Sequence, residues 1–169
     1  RDGIDQSHFI FGFHVPFASD LKKYAYEVAG ARLFEGMSSV LFQEIREKRG
    51  LAYAVKGDFD LGEKYGYCMI YAGTVKEKIK EIKEIILKQI KNLKNLEQRD
   101  FEECKEQLIG MANIESEDSS SVMNALVLEE IGAGAEEYYK YEARINNVKL
   151  KDIRDIKLEN YSTFSLIPK

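Results

Sequence analysis

Metal chemistry needs imidazoles, thiolates or carboxylates that converge, and this sequence offers few of them. It holds two histidines and two cysteines. His8 and His14 lie on one alternating stretch, "SHFIFGFHVP", which places them about 20 Å apart at the ~3.3 Å rise of an extended chain. Two imidazoles so far apart cannot share one zinc, and they read as structural strand residues. Cys68 and Cys104 form no CxxC pair, so neither a disulfide framework nor a zinc knuckle is implied. That usage is compatible with a reducing compartment, and a cytoplasmic setting is favoured. The acids "ESED" at 115–118 lack the spaced ligands and the glycine of a calcium loop and read as a solvated helix end. A nucleophile elbow, a phosphate-cradling glycine loop and an HxxEH are all missing from the sequence. By residue chemistry alone this is not a self-sufficient hydrolase, and no metal site is expected in it.

The elements that would position any site follow from periodicity. Phe9, Phe11, Phe13 and Val15 alternate with His8, Ile10, Gly12 and His14, the period-two pattern of a half-buried strand. Ser19 is expected to cap a helix in which Leu21, Ala25, Val28 and Ala29 recur at helical spacing. A second helix follows "EGMSS", with Ser38 as cap and Leu41, Phe42 and Ile45 as its buried stripe. Gly50 ends it, because glycine adopts the left-handed conformation without steric cost and lets Leu51 fold back on Ile45 as in a Schellman stop. The segments "LAYAVKGDFDL" and "YGYCMIYAG" then form a hairpin around "GEK".

The second half reads as mostly helical. Thr74 and Glu77 suggest a capping box before a long amphipathic helix carrying Ile79, Ile82, Ile86, Ile90 and Leu93. Further helices are expected over Phe101–Ile114, Val122–Ile131, Tyr138–Ile145 and Leu150–Glu159, with a last strand in "YSTFSLIP". Hairpin strands and helices in blocks imply an α+β fold, a two-layer sandwich of a mainly antiparallel sheet backed by helices. No linker or repeat divides the chain, so residues 1–169 are expected to form one domain. The sequence opens at Arg1 without a methionine and is expected to be part of a longer protein.

Composition narrows the function classes. The 169 residues are 44% hydrophobic and 32% charged, with a net charge of −4, which describes a soluble globular protein and argues against a nucleic-acid-binding domain. Residues 76–94 carry seven lysines against three glutamates, a pattern that suits the wet face of an amphipathic helix. No apolar run approaches the roughly 20 residues a membrane-spanning helix requires.

The stretch "GMSSVLFQEIREKRGLAYAV" resembles the zinc-free homologous half of the pitrilysin/insulinase family of zinc metallopeptidases, which includes the mitochondrial processing peptidases. The resemblance runs on through "QSHFIFGFHVP", "YGYCMIYAGT", "FEECKEQLIG" and "NNVKLKDIR", and so covers nearly the whole chain. It implies a metallohydrolase half-domain of the LuxS/processing-peptidase type, in which two such halves close around a peptide. One half carries zinc on an inverted HxxEH, and the other completes the site. This chain would then hold no cofactor, zinc being expected in the partner half, and would be inactive alone. Its partners would be a peptide or unfolded protein substrate and the homologous zinc-binding half, on the same chain or a separate subunit.

Carried over on "REKRGLAY", the resemblance assigns Arg46 to the peptide backbone and Tyr53 to the transition state. An arginine presents five fixed donors and a phenol one. In "LFEGMSSV" it makes Gly36, Ser38 and Ser39 candidates for lining the cleft, although Phe34, Glu35 and Val40 depart from the family's richer glycine turn and its arginine after the two serines. The same fold also serves as a scaffold in respiratory core proteins, so a non-catalytic assembly subunit is the alternative reading.

Overall fold

The computed structural model describes residues 5–168. Four strands, β1 (Ser7–His14), β2 (Ala52–Leu61), β3 (Gly66–Thr74) and β4 (Tyr161–Leu166), pair antiparallel in the order β2-β3-β1-β4. The helices are α1 (Lys23–Leu33), α2 (Ile79–Asn92), α3 (Gln98–Glu115), α4 (Ser119–Gly132), α5 (Glu136–Asn147) and α6 (Leu150–Arg154), and a π-helical segment, Phe42–Glu47, runs into β2. The architecture is therefore α+β, as the sequence pattern implies. Among the described residues no helix is long and apolar enough to cross a membrane.

The period of two in β1 decides which way the sheet faces. Phe9, Phe11, Phe13 and Val15 are buried while Ile10 and Gly12 are half-buried and His14 is exposed. Against the inward row pack Cys68, Ile70 and Ala72 of β3, Val28 of α1, and Ile82 and Ile86 of α2, in one apolar cluster that also takes in Ile145 of α5 and Ile153 of α6. Burying each large apolar side chain contributes roughly 1.5–3 kcal/mol. On the opposite face Ile10 stands in register between Tyr71 and Phe164, and Phe164 is largely exposed. The lysines of α2 meet water at Lys80 and Lys91, whereas Lys83 is half-buried with its ammonium 5.1 Å from the Tyr161 ring.

The junction of α1 with β2 is closed by shape. The ring of Phe34 lies on Gly57, where a Cβ would collide with it, and it also borders Gly30, beside which Phe59 packs. The Phe34 and Phe59 rings sit 5.5 Å apart. Two glycines thus let a pair of aromatic rings lock helix to strand.

Local capping differs from the expectation at several points. Helix α1 begins at Lys23, leaving Leu21 exposed, and Asp20 rather than Ser19 ties its entry: the Asp20 carboxylate accepts from the Lys22 N–H at 2.9 Å and its carbonyl from the Lys23 N–H at 2.9 Å. A carboxylate is the stronger acceptor and takes the role. The expected capping box at Thr74 and Glu77 is replaced by a 3₁₀ turn, Lys76–Lys78, with no side-chain cap. Thr74 is instead the last residue of β3, buried, with its hydroxyl donating to the Leu51 carbonyl. The last helix stops at Arg154, well short of Glu159.

Candidate functional site

Arg46 and Tyr53 flank a chain reversal whose geometry follows from Gly50. The helical segment before it is π-wound: the Lys48 N–H reaches the Gln43 carbonyl, five residues back, at 2.9 Å. Gly50 then takes φ +57°, its N–H bonding the Arg46 carbonyl at 3.1 Å, while the Leu51 N–H returns to the Ile45 carbonyl at 2.8 Å. This is the expected glycine stop widened by one residue, in keeping with the π winding. Single π-turns inside helices recur at functional sites.

Two further bonds grip the reversal from outside. Thr74 donates to the Leu51 carbonyl and the Lys78 ammonium donates to the Gly50 carbonyl at 2.9 Å. Next along the chain, Ala52 pairs with Thr74 and Ala54 with Gly73, so Tyr53 is the extra residue of a β-bulge. It lies on β2, an edge strand, and is 70% exposed. A bulge re-aims the side chain it carries, and bulges are over-represented beside active sites.

The charges around the reversal are unequally committed. Glu44 accepts from Lys48 at 2.7 Å and from Arg49 at 3.0 Å, and Arg49 also lies 3.9 Å from Glu81. Those hydrogen bonds, from Lys48 and then Arg49, hold the Glu44 carboxyl below its ordinary range. Arg46, 48% exposed, lies 3.8 Å from Glu47 and extends over the Phe42 ring at 5.0 Å. Among the described residues its guanidinium makes no hydrogen bond, whereas that of Arg49 commits one to Glu44.

Gly36, Ser38 and Ser39 enter from the other end of the same helical segment, about 12 Å away for a stretch of eight residues. Gly36 has φ +74°, and three successive carbonyls of its loop are held by side chains: Glu35 by Gln107 at 3.2 Å, Gly36 by Ser39 at 2.9 Å and Met37 by Gln43 at 2.7 Å. Ser39, rather than Ser38, organises the helix start: it is buried, and its carbonyl accepts from the Gln43 N–H. Gly36 and Ser38 are exposed. The structure thus joins Arg46 and Tyr53 around one reversal and sets the glycine–serine loop at the far end of the helix.

The residues present do not fit a zinc centre. His8 shares a 2.9 Å hydrogen bond with the Tyr71 hydroxyl, His14 is exposed at the end of β1, and Cys68 and Cys104 are buried. Among the described residues, no group of three or more His, Cys, Asp or Glu is placed to hold a metal ion. No chemical step is therefore routed through a metal on this chain.

The family model described as the peptidase M16 inactive domain matches residues 1–108. A Mycobacterium tuberculosis protein described as an uncharacterized zinc protease is 30% identical over 159 residues, covering 90% of this chain and 35% of that protein. A protease from Helicobacter pylori superimposes with a TM-score of 0.86 at 18% identity, covering 99% of this chain and 42% of the other. The inactive peptidase domain from Bordetella parapertussis gives a TM-score of 0.83 at 17% identity, covering 100% of this chain and 96% of the other. At those identities the two structures speak to fold alone. The chain spans 35% of the length of the mycobacterial relative it matches.

Proposed function

The chain belongs to the M16 peptidase family as its inactive domain, and from that premise we propose that it binds the peptide substrate of a zinc-dependent metalloendopeptidase and completes the catalytic site. The zinc and the general base would come from the homologous half, on the same polypeptide or another. What this chain supplies is hydrogen-bond donors. The Arg46 guanidinium offers a planar fork to the carbonyls of an extended peptide. The Tyr53 hydroxyl donates to the carbonyl oxygen that gains charge as the peptide bond is attacked, an interaction that strengthens toward the transition state. Exposed Gly36 and Ser38 border the cleft, and Ser39 holds their turn in shape.

The supporting observation is the unequal pairing of the two arginines. Arg49 is bound to Glu44, whereas Arg46 keeps its donors beside a tyrosine turned out on a bulge. Steady-state kinetics of the assembled two-half enzyme on one fluorogenic peptide test the assignment. Tyr53→Phe is expected to lower kcat about 100-fold with little change in KM, the loss typical of one oxyanion donor. Arg46→Ala is expected to raise KM as well, with poor rescue by lysine, and Arg49→Ala to be mild. A crippling Arg49→Ala beside near-normal Arg46→Ala and Tyr53→Phe would overturn the assignment. Unchanged turnover in all three variants would favour a scaffold role.

A further inference from the structure

Helix α4 departs from the rule that the other helices obey. Its sequence, SSSVMNALVLEEIG, is apolar around most of its circumference, yet its one buried residue is Gly132. A helix apolar on every side is normally enclosed. Here Met123, Val127 and Ile131 recur every four residues, hence on one face, and each is more than half exposed; Leu128 beside them is 69% exposed.

Leu128 stands between this row and a groove of about 510 Å³ among α3, α4 and α5, which α4 lines with Val122, Ala125 and Leu128 on the side away from Met123 and Val127. Leu108, Met111, Leu128 and Tyr139 are among its apolar lining, and its charges are Glu35, Glu115, Glu129 and Glu142. Among the described residues that line it there is no lysine or arginine. Glu129 is held by buried Lys23 at 3.1 Å, but none of the ion pairs among the described residues reaches the other three acids. The last turn of α3, which lines the groove, carries no base. Burial, then Asp58 and Glu115, raise the Glu35 carboxyl. Acids from separate elements therefore repel one another there.

We propose that this groove docks an amphipathic helix of another polypeptide, one with leucine-like residues on the face laid into the groove and lysines or arginines along its flanks. The apolar lining, with Leu108, Met111, Leu128 and Tyr139, supplies the contact area, as in other helix-in-groove complexes. Glu35, Glu115 and Glu142, which have no ion pair among the described residues, select the sign of the flanks. A second copy of this chain is a poor occupant, because α4 carries Glu129 and Glu130 and no base, so two such faces would bring like charges together. The surface shares no residue with the Arg46–Tyr53 reversal and does not depend on the role of that site.

Fluorescence anisotropy with a labelled model peptide of leucine and lysine in helical spacing tests this on the chain. Saturable binding is expected, weakening with added salt and about tenfold weaker or more when glutamate replaces lysine in the peptide. Leu128→Ser, and separately Glu115→Gln combined with Glu142→Gln, should each weaken it by about tenfold, equal to 1.4 kcal/mol. Phe164→Ser, on the exposed face of the sheet, should leave it unchanged. All these positions lie at the surface, and circular dichroism checks that each variant folds. Absence of saturable binding, equal binding of the lysine and glutamate peptides, or indifference to Leu128→Ser would each overturn the proposal. So would a chain dimer, seen by sedimentation, that Leu128→Ser dissociates.

Discussion

The sheet with α2 and the outlying helix α4 are held by different forces. In the first, Phe9, Phe11 and Phe13 meet Ile70, Ile82 and Ile86 in a dry cluster. In the second, α4 buries only Gly132, where an added Cβ would lie 2.6 Å from that of Ala18, and it is tied back by the Lys23–Glu129 pair. α5 sends Ile145 into the apolar cluster and is tied further through Glu137, which accepts from the Tyr24 hydroxyl at 3.3 Å and, within α5, from Arg144 at 3.0 Å. The apolar layer fixes the fold, and the charged layer fixes where a second tier of helices sits upon it.

The contrast is broken or sharpened first by deletion of apolar bulk. Phe11→Ala should cost about 3–5 kcal/mol in urea denaturation, through lost burial and the cavity left behind. Leu128→Ala, equally apolar but wet, should stay within about 0.5 kcal/mol. Comparable losses at the two sites would erase the distinction.

Smaller, and confined to the charged layer, is a dependence on pH. Burial raises the Glu27 carboxyl from 4.5 to about 7, with Glu129 adding to the rise while Lys23 and the Tyr141 hydroxyl oppose it. Between those values the folded chain keeps a proton that the unfolded chain loses, so stability falls as pH rises. The melting temperature should drop by roughly 5 °C across that window, and Glu27→Gln should flatten the slope. Glu137 runs the other way. Arg144 first, then Lys140, hold its carboxyl at about 2, so its contribution is present above 4.5 and fades as pH falls toward 2. A variant whose melting profile keeps the parent's slope through neutral pH would show that Glu27 does not govern this layer.

A modest loss of purely conformational origin is expected at the reversal. An added Cβ at Gly50 meets nothing within 4 Å, so Gly50→Ala carries only the cost of a left-handed backbone, about 1–2 kcal/mol. Asparagine should be milder. Thermal unfolding of the two variants separates this conformational cost from any crowding, which would penalise asparagine more.

What could be read in advance was what neighbouring residues decide together. The alternation of Phe9, Phe11 and Phe13, the stripe from Ile82 to Ile90 and the stop at Gly50 are all local, and each is present. Thr74 misled because its hydroxyl finds the Leu51 carbonyl, 23 residues away in sequence, and nothing near Thr74 announces that partner. The apolar spacing of α4 showed what could be buried, not what is. At the site, Arg46 and Tyr53 were singled out by resemblance. The bulge that turns Tyr53 outward depends on inter-strand register, and the grip of Lys78 on Gly50 joins residues far apart in the chain. Gln43 and Gln107, which pin the Gly36 loop, carried no signal beyond being polar residues on helices.

The bulge at Tyr53 also bears on solubility. An edge strand with a flat, regular ladder is a template on which other chains can add and grow into fibres. β2 breaks that ladder at Tyr53 and carries Lys56, Asp58 and Asp60 further along, while β4, at the opposite edge, extends only from Tyr161 to Leu166. Both ends of the sheet are thus poor templates. The irregularity that turns a phenol outward also hinders the sheet from stacking on copies of itself.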